Sequence, residues 1–385
     1  MSALRPPPLE QMLDQLFAAA SVSSMIPAYD SSNRATVDLL AGWAQDLGFT
    51  ADVTAVDGAP GKFNLVATLG RGDGGLVFAG HTDTVPWDEG LWNFNPLRAT
   101  FAHDRVYGLG ASDMKGFFAL LLDALRWVDV ERLSSPIILI ATADEESTMS
   151  GARALAAAGP LRARHALIGE PTGLKPVRAH KGILMESVRV VGHAGHSSDP
   201  GLGANAIDGM HTVIAALSDW RSALQRDHRD DTFAVPMPTM NFGHVHGGDN
   251  PNRICGACKL QFDLRPLPGM DPDALRADFR ARVEDALADS PFQIEFAALL
   301  GGVPALATDA SAPIVRVVEE LTGEPAGAVA FATEGPFLAE IAGDVVVLGP
   351  GDIAQAHQPD EYLSLARFTP TRELIGEVVA RLCIR

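Results

Sequence analysis

The sequence has few cysteines and no long apolar run, and each shortage excludes a class of protein. Three cysteines among 385 residues, Cys255, Cys258 and Cys383, are too few for a disulfide framework and fit a reducing compartment. No apolar stretch approaches the roughly 20 residues that a membrane span requires. The N-terminus lacks the basic and apolar regions of a signal peptide. These absences predict a cytoplasmic protein.

Positive charge is also scarce. Thirty lysines and arginines are set against 48 aspartates and glutamates, which gives a formal net charge of −18. This negative charge would repel nucleic acids and anionic membrane surfaces. The hydrophobic content of 47% and the charged content of 20% are ordinary for a globular chain of two domains. We therefore expect a small-molecule substrate and neither a nucleic acid nor a membrane as partner.

The spacing of Cys255 and Cys258 is that of half a zinc knuckle or of a redox pair. No second Cys/His pair lies nearby, and the surrounding sequence RICGACKLQFDLRPLPG is typical of an extended strand. We predict that both thiols have a packing role, with a metal or redox role as the alternative.

Helix-like and strand-like segments alternate along the first part of the chain. The helical spacing occurs in PLEQMLDQLFAAA and NRATVDLLAGWAQDLG. Short apolar runs closed by Gly, Asp or Glu occur in KFNLVATLG, GGLVFAGHTD, SPIILIATAD and ARHALIGE. This pattern predicts an α/β fold, in which ligands bind at the carboxyl ends of the strands.

The pattern changes from about residue 183 to the order β-α-β-β-α-β. This order is typical of a two-layer α+β, ferredoxin-like unit that folds by itself. We predict an inserted domain at 182–292. The α/β character then returns, so the catalytic domain is predicted to be discontinuous, with parts 1–181 and 293–385.

Five side chains that can bind a metal ion stand at the ends of apolar runs or beside Gly/Pro turns: His81, Asp113, Glu146, Glu170 and His357. Two imidazoles and three carboxylates suit a pair of zinc-like ions, provided that one carboxylate bridges them. Glu145 and Glu146 are adjacent carboxylates after a buried strand, an unfavourable arrangement unless a cation is present. The set points to a hydrolase.

Each of these residues alone has an ordinary interpretation. His81 and Asp83 share one face of a strand, so Asp83 could orient the imidazole, although a single His-x-Asp is a weak signal. Asp113 could be the N-cap of the helix that follows it. Glu145 and Glu146 could form a solvated acidic turn. Glu170 and His357 could be incidental loop residues.

In combination, the chain resembles the dinuclear zinc amidohydrolases, a family that includes aminoacylases, carboxypeptidase G2 and succinyl-diaminopimelate desuccinylase. The motifs that carry the resemblance are AGHTDTVP, GLGASDMKG, DEE, GEPT and AHQPDEY. Longer strings resemble the branch that acts on N2-acetyl-L-ornithine: VRAHKG, GHSSDP, GGDNPNRICGAC, DLRPLPGM, ATEGPF and GPGDIAQAHQPDEYL. The resemblance covers nearly the whole chain. It implies a zinc-peptidase-like catalytic domain and a homodimer formed through the inserted domain, which would also act as a lid.

The resemblance implies two divalent ions, with zinc expected and cobalt as a substitute. His81, Asp113 and Glu170 would hold one ion. Asp113, Glu146 and His357 would hold the other, so Asp113 would be the bridge.

The resemblance also implies three catalytic residues: Glu145, Asp83 and His196. Glu145 would be the general base that takes a proton from a water activated by the ions, and then the acid that protonates the leaving amine. Asp83 would fix the tautomer of His81, and the Asp113–Met114 peptide would be cis. His196, from the inserted domain of the partner subunit, would stabilise the oxyanion, although by sequence alone it could be an ordinary polar loop residue. One departure from the family is Phe117, which stands where many members have glycine.

Five residues are predicted to bind substrate. Asn252 and Arg265 match positions that contact the acyl amino acid in the family, and Arg253 could bind the α-carboxylate through a bidentate pair. Arg265 could instead only brace a loop. Thr333 and Glu334 lie where the family closes its pocket, and Glu334 could meet the ammonium of ornithine or be a solvated acidic residue.

The predicted reaction is hydrolysis of N2-acetyl-L-ornithine to L-ornithine and acetate in arginine biosynthesis. N-acetylcitrulline, N-acetylmethionine and succinyl-diaminopimelate are the alternative substrates. A non-catalytic amino-acid-binding protein is disfavoured because it is expected to have lost Glu145 or a ligand. A redox protein built on Cys255 and Cys258 would respond to thiol alkylation and not to chelation.

Overall fold

The computed structural model describes residues 5–161 and 163–384. Within these residues, the helices are α1 (Leu9–Ala18), α2 (Arg34–Asp46), α3 (Lys115–Leu125), α4 (Ser150–Ala158), α5 (Ala206–Asp227), α6 (Pro272–Ala286), α7 (Pro313–Thr322), α8 (Gly335–Ala342) and α9 (Phe368–Cys383). The strands are β1 (Thr50–Ala55), β2 (Phe63–Leu69), β3 (Gly75–His81), β4 (Thr100–Ala102), β5 (Arg105–Tyr107), β6 (Ile137–Thr142), β7 (Ala163–Ile168), β8 (Val177–His180), β9 (Leu184–Val191), β10 (Thr239–Gly247), β11 (Ala257–Arg265), β12 (Gln293–Ala298), β13 (Leu306–Ala307), β14 (Gly327–Val329), β15 (Asp344–Val347) and β16 (Tyr362–Ser364).

The chain divides into two compact units. Unit 1 extends to Arg178, returns for Thr308–Gly327 and continues from Thr333 onward, and unit 2 comprises Ala179–Ala307 and Ala328–Ala332. The predicted end of the inserted domain, residue 292, is therefore too early. β12 pairs with β9 along its whole length, which places this strand in the sheet of unit 2.

Unit 1 contains a mixed sheet in which β1, β2, β6, β3, β7, β15 and β8 are neighbours in that order. β3 pairs in parallel with both β6 and β7, and β15 pairs in parallel with β7. β3 and β6 are buried at every residue, as central parallel strands are. The carboxyl ends of β3, β6 and β7 therefore meet at one edge of the sheet.

Two groups of helices pack in unit 1. α1, α3 and α9 contact one another in succession and share a hydrophobic core with the buried strands, whereas α4 and α8 contact each other. α3 has ten buried residues out of eleven, which explains its nearly continuous apolar sequence. α/β architecture is confirmed by this arrangement.

Unit 2 contains a four-stranded antiparallel sheet in the order β10-β11-β9-β12. Its chain order, β9-α5-β10-β11-α6-β12, is the predicted β-α-β-β-α-β. Side-chain caps begin both helices, since Asn205 accepts a hydrogen bond from Ile207 N at 3.1 Å and Asp271 accepts one from Ala274 N at 2.8 Å. The core lies between the helices and one face of the sheet and includes Trp220 and other buried aromatic residues.

The cysteines of the CGAC string are buried free thiols in this core. Cys258 lies in β11, as the extended-strand prediction required, and Cys255 Sγ donates to the main-chain oxygen of Ala257 at 3.0 Å. Burial raises the pKa of Cys258, which disfavours its reactive thiolate form.

Candidate metal centre

Three strand ends bring the candidate ligands together. His81 is the last residue of β3, Glu145 and Glu146 follow the end of β6, and Glu170 follows the end of β7. These three strands are parallel neighbours in unit 1. His357 comes from the loop between β15 and β16 and has a φ of 60°.

Asp113 lies between the two imidazoles. Its Oδ1 is 3.1 Å from His81 Nε2, whereas its Oδ2 is 3.7 Å from His357 Nε2. The Asp113–Met114 peptide bond, directly before α3, is cis, as the family resemblance implied. Asp113 is therefore placed to offer one oxygen to each of two cations.

The other two carboxylates divide between the imidazoles. Both Oε atoms of Glu146 lie 3.0 Å from His357 Nε2, and Glu170 Oε1 lies 3.8 Å from His81 Nε2. Candidate ligand atoms of His81, Asp113 and Glu146 all lie within 4.8 Å of one another. The contacts thus form two groups that share Asp113, and the two ligand sets that the family resemblance implies stay a prediction.

The chemistry of this donor set fits divalent cations. Glu170 Oε1 is buried and has no hydrogen-bond partner among the described residues. Burial, followed by the charge of Asp113, raises the pKa of Glu170 well above its usual value. A buried carboxylate that lacks a partner is costly, and a bound cation would remove that cost.

His81 is fully buried, and its protonation is governed by the acids around it. Burial alone would lower the pKa of His81, but the hydrogen bond to Asp113 and the charge of Glu170 raise it well above its usual value. Without cations the imidazole therefore holds a proton that a metal ion must displace.

Asp83 orients His81 through its main chain. His81 Nδ1 is 3.0 Å from the main-chain oxygen of Asp83 and 3.8 Å from its carboxylate Oδ1. A proton on Nδ1 would be donated to this carbonyl, which leaves Nε2 for a cation. The Asp83 carboxylate instead accepts from Glu146 N at 3.0 Å and so connects the two strand ends.

Glu145 is partly exposed beside the ligands and has acidic neighbours. Desolvation and then the charge of Glu170 raise the pKa of Glu145 well above its usual value. An elevated pKa brings a carboxyl group closer to the neutral range in which it can both accept and release a proton.

Thr333 and Glu334 are buried at the start of α8 in unit 1. Glu334 Oε2 accepts from Thr142 Oγ1 at 2.8 Å, whereas Oε1 has no hydrogen-bond partner among the described residues. Burial raises the pKa of Glu334 to about 7. The alternative of a solvated acidic residue is therefore wrong for Glu334.

Three of the predicted residues in unit 2 lie together. His196 and Arg253 form an isolated β-bridge, and with Asn252 they line an open cavity of about 410 Å³. Arg253 also pairs with Asp249 at 2.6 Å. Arg265 does not line this cavity but pairs with Asp263 at 2.9 Å on β11.

The tautomer of His196 follows from its contacts with Ser198. Its Nδ1 accepts from Ser198 N at 3.2 Å and lies 2.7 Å from the Ser198 hydroxyl oxygen. A neutral imidazole that accepts at Nδ1 carries its hydrogen at Nε2. His196 is thus prepared to donate a hydrogen bond from Nε2.

Glu361 is a residue at this centre that the sequence reasoning missed. Its carboxylate accepts from the main-chain N–H groups of Gly110 at 2.8 Å, Ser112 at 2.7 Å and Asp113 at 2.9 Å. Burial raises the pKa of Glu361 to about 8, although the three N–H donors act in the opposite direction. The available signal was its position within AHQPDEY, four residues after His357.

A search of the described helices finds none with the length and apolar character needed to cross a membrane.

Comparison with known proteins places these features in a family. The model of peptidase family M20/M25/M40 matches residues 77–381. An acetylornithine deacetylase of Photorhabdus laumondii is 44% identical over 378 residues, covering 98% of each chain. One from Pasteurella multocida is 46% identical over 377 residues, again covering 98% of each chain. A Bacillus subtilis protein described as a dinuclear metal binding peptidase has a similar fold, with a TM-score of 0.68, 15% identity and 97% of each chain covered.

Proposed function

The chain belongs to peptidase family M20/M25/M40, and we propose that it hydrolyses N2-acetyl-L-ornithine to L-ornithine and acetate, a step of arginine biosynthesis. Relatives that share 44% to 46% of the sequence over nearly the full chain are named acetylornithine deacetylase, which supports this substrate. The observation that carries the proposal is the position of Asp113 between His81 and His357, with Glu145 beside this cluster.

We propose that His81, Asp113, Glu146, Glu170 and His357 hold two divalent ions, zinc in the first place and cobalt as a substitute. When bound, such ions polarise the acyl carbonyl and lower the pKa of water enough to make it a nucleophile near neutral pH. Membership of the family and the buried, partnerless oxygen of Glu170 support this assignment.

Glu145 is the proposed general base and acid. It takes one proton from the attacking water, whose oxygen forms a bond to the acetyl carbon. The bond between that carbon and the α-nitrogen then breaks, and Glu145 returns the proton to the leaving amine. The immediate products are acetic acid and the free α-amine of ornithine, and Glu145 ends in its starting state. The acid then ionises to acetate, and the proton it releases is taken up by the amine.

His196 is the proposed oxyanion donor, contributed by unit 2 of the partner subunit in a homodimer. An oxyanion donor requires an N–H group. The contacts of His196 with Ser198 place the hydrogen of a neutral imidazole on Nε2, which provides such a group. β10 is an edge strand of the four-stranded sheet, and Val245 on it is 58% exposed. An exposed edge strand offers a surface for pairing between subunits.

The remaining predicted residues are proposed to bind the acyl amino acid. Arg253 and Asn252 line the same cavity as His196, which supports contact with the substrate carboxylate. Arg265 is proposed as a further contact on the basis of the family resemblance. Thr333 and Glu334 are proposed to close the pocket at the ornithine side chain.

The proposed function is tested by comparing substrates in the zinc-loaded enzyme. We expect chelation to abolish ornithine release and zinc or cobalt to restore it. The kcat/KM for N2-acetyl-L-ornithine is expected to exceed those for N-acetylcitrulline, N-acetylmethionine and succinyl-diaminopimelate. A higher kcat/KM for one of these three compounds would assign the enzyme to that substrate, and turnover that survives complete metal removal would contradict the metal-dependent reaction.

A further inference from the structure

The turn that carries Glu145 and Glu146 begins at a residue in an unusual conformation. Asp144 has a φ of 60°, in the left-handed region that residues other than glycine adopt uncommonly and Asp more readily than most. Its main-chain oxygen accepts from Thr148 N at 3.0 Å and from Met149 N at 2.6 Å. The conformation of Asp144 therefore sets the direction in which the next two side chains leave the backbone.

The Asp144 side chain is buried among donors. Its Oδ1 accepts from Ser23 Oγ at 2.9 Å and lies 2.9 Å from Lys62 Nζ, and its Oδ2 accepts from Ser150 Oγ at 2.8 Å. Three partners from three different parts of the chain define one orientation of this carboxylate. Hydrogen bonds that involve an ionised group are also the stronger ones.

Lys62 is the buried cation of this network, with only 4% of its surface exposed. Its Nζ lies 2.9 Å from Asp144 Oδ1, 2.7 Å from Asp30 Oδ1 and 2.8 Å from the main-chain oxygen of Ser31. An ammonium group has three hydrogens, and these three close acceptors, with the main-chain oxygen of Val22 at 3.4 Å as a fourth, use its full capacity. Lys62 cannot turn away without leaving the buried Asp144 carboxylate without its cationic partner.

We propose that the Lys62–Asp144 ion pair positions the catalytic turn, so that Glu145 faces the reacting water while Glu146 keeps its place as a ligand. Neither Lys62 nor Asp144 is a catalytic residue, because both act through the main chain of the turn. The inference rests on the proposed function, since it takes Glu145 as the general base.

A positioning role differs from a purely structural one in its kinetic signature. Displacement of a base by about 1 Å can slow the chemical step about 100-fold. Substrate binding relies on other residues and stays unchanged, so the loss falls on kcat and not on KM. An ion pair that only stabilises the fold would lower the unfolding temperature and leave kcat intact once the protein is folded and loaded with metal.

The experiment uses zinc-loaded enzyme with Lys62→Met, Asp144→Asn and the milder Ser23→Ala. The control is Arg34→Met, which removes the exposed Arg34–Asp38 pair, joined at 2.7 Å on α2. For each protein, kcat and KM with N2-acetyl-L-ornithine, zinc affinity and the number of bound ions per chain are measured.

We expect kcat to fall about 100-fold in Lys62→Met and Asp144→Asn and about three- to tenfold in Ser23→Ala, with KM within about threefold of the wild-type value. Zinc affinity at one of the two sites should fall more in Lys62→Met and Asp144→Asn than in Ser23→Ala, because the proposed ligand Glu146 lies on the same turn. Arg34→Met should match the wild type. Wild-type kcat in folded Lys62→Met and Asp144→Asn would overturn the proposal.

Two conditions keep this test decisive. If Lys62→Met and Asp144→Asn fail to fold, Ser23→Ala and Ser150→Ala decide, since each removes one uncharged donor to the Asp144 carboxylate; unchanged kcat in both overturns the proposal. If the wild-type enzyme does not release ornithine, the proposed function fails separately. Zinc affinity then decides: a loss at one site in Lys62→Met supports positioning of the turn, and unchanged affinity at both sites overturns it.

Discussion

Glu334 is a buried carboxyl group whose two oxygens have different surroundings. Oε2 is bound by Thr142, whereas Oε1 has no hydrogen-bond partner among the residues that the structure describes. A buried carboxylate oxygen in this state gains from a cationic partner, and the side-chain ammonium of ornithine is such a group. N-acetylcitrulline carries a neutral ureido group at the corresponding position. A contact between Glu334 and the ammonium group therefore affects only N2-acetyl-L-ornithine, whereas a change in the shape of the pocket affects both substrates.

Glu334→Gln is therefore expected to lower kcat/KM for N2-acetyl-L-ornithine by about 10- to 100-fold, the equivalent of one hydrogen bond to a charged group. The kcat/KM for N-acetylcitrulline is expected to stay within about threefold. Steady-state kinetics with both substrates measures the difference, and Glu320→Gln on the exposed surface of α7 is a control. Equal losses of kcat/KM for both substrates would show that Glu334 positions Thr142 and does not contact the substrate ammonium.

The protons held by the ligand cluster predict a pH dependence of metal binding. In the absence of cations the pKa values of His81 and Glu170 are raised well above their usual values, so both groups bind protons more tightly than in the unfolded chain. These protons must leave when an ion binds, and competition from them grows as the pH falls. We expect zinc affinity to fall steadily from about pH 8 to about pH 5, with proton release on binding. Calorimetry in buffers of different ionisation enthalpy measures that release, and a pH-independent affinity without proton release would contradict this view of the cluster.

At the scale of elements, the loop before α3 is held by residues distant in the sequence, and the side chain of Glu361 makes the largest number of these hydrogen bonds. Glu361 accepts hydrogen bonds from the main-chain N–H groups of Gly110, Ser112 and Asp113, and the last of these is the proposed bridging ligand. Gly110 has a φ of 82°, which suits glycine, and its N–H points at this carboxylate. The loop therefore takes its shape from a residue about 250 positions away.

At a pH above about 8, where Glu361 is ionised, Glu361→Gln places an amide group where three N–H donors require acceptors. We expect the free energy of unfolding to fall by about 1 to 3 kcal/mol, the cost of a buried donor left unsatisfied. Zinc affinity should also fall, because Asp113 is less well fixed. Denaturant unfolding with and without zinc measures both effects, and a variant with wild-type stability and affinity would show that Glu361 does not hold the loop.

Local signals account for the elements that the sequence predicted well. The helical spacing in 8–20 and 33–48 corresponds to α1 (Leu9–Ala18) and α2 (Arg34–Asp46), and the apolar run before His81 is the fully buried β3. His81, Glu146 and Glu170 became candidate ligands because they stand at or just after the ends of such runs, whereas Asp113 and His357 stand beside Gly/Pro turns. The sequence did not predict the role of Glu361 or the Lys62–Asp144 ion pair. The partners are distant in the sequence, and no periodic pattern indicates such a contact.

At the scale of the whole molecule, the prediction of two domains had a boundary error with a physical cause. The predicted β-α-β-β-α-β order already includes β12 (Gln293–Ala298) as its last strand, so a boundary at 292 cuts this strand from its own unit. Hydrogen bonding to β9 keeps β12 in the sheet of unit 2, which extends to Ala307. The segment Ala328–Ala332 also belongs to unit 2, and no local feature of the sequence indicated this second return of the chain.

The whole molecule is proposed to act as a metal-dependent deacetylase in which strand ends of unit 1, the segment before α3 and the loop between β15 and β16 supply the ions' ligands, and the turn after β6 supplies the base. Negative charge dominates its composition, with a formal net charge of −18. Much of the acid at the centre itself is buried, in a place where cations would compensate it. The proposed reaction therefore has two separate requirements: the five proposed ligands hold the ions, and Glu145 moves the proton.

Ornithine release by Glu145→Gln, compared with the wild-type enzyme at the same measured zinc content, tests that separation most directly. We expect the variant to bind two ions per chain with wild-type affinity and to lose at least about 100-fold in kcat, as removal of a general base does. Turnover near the wild-type rate in the zinc-loaded variant would contradict the central claim that Glu145 activates the attacking water.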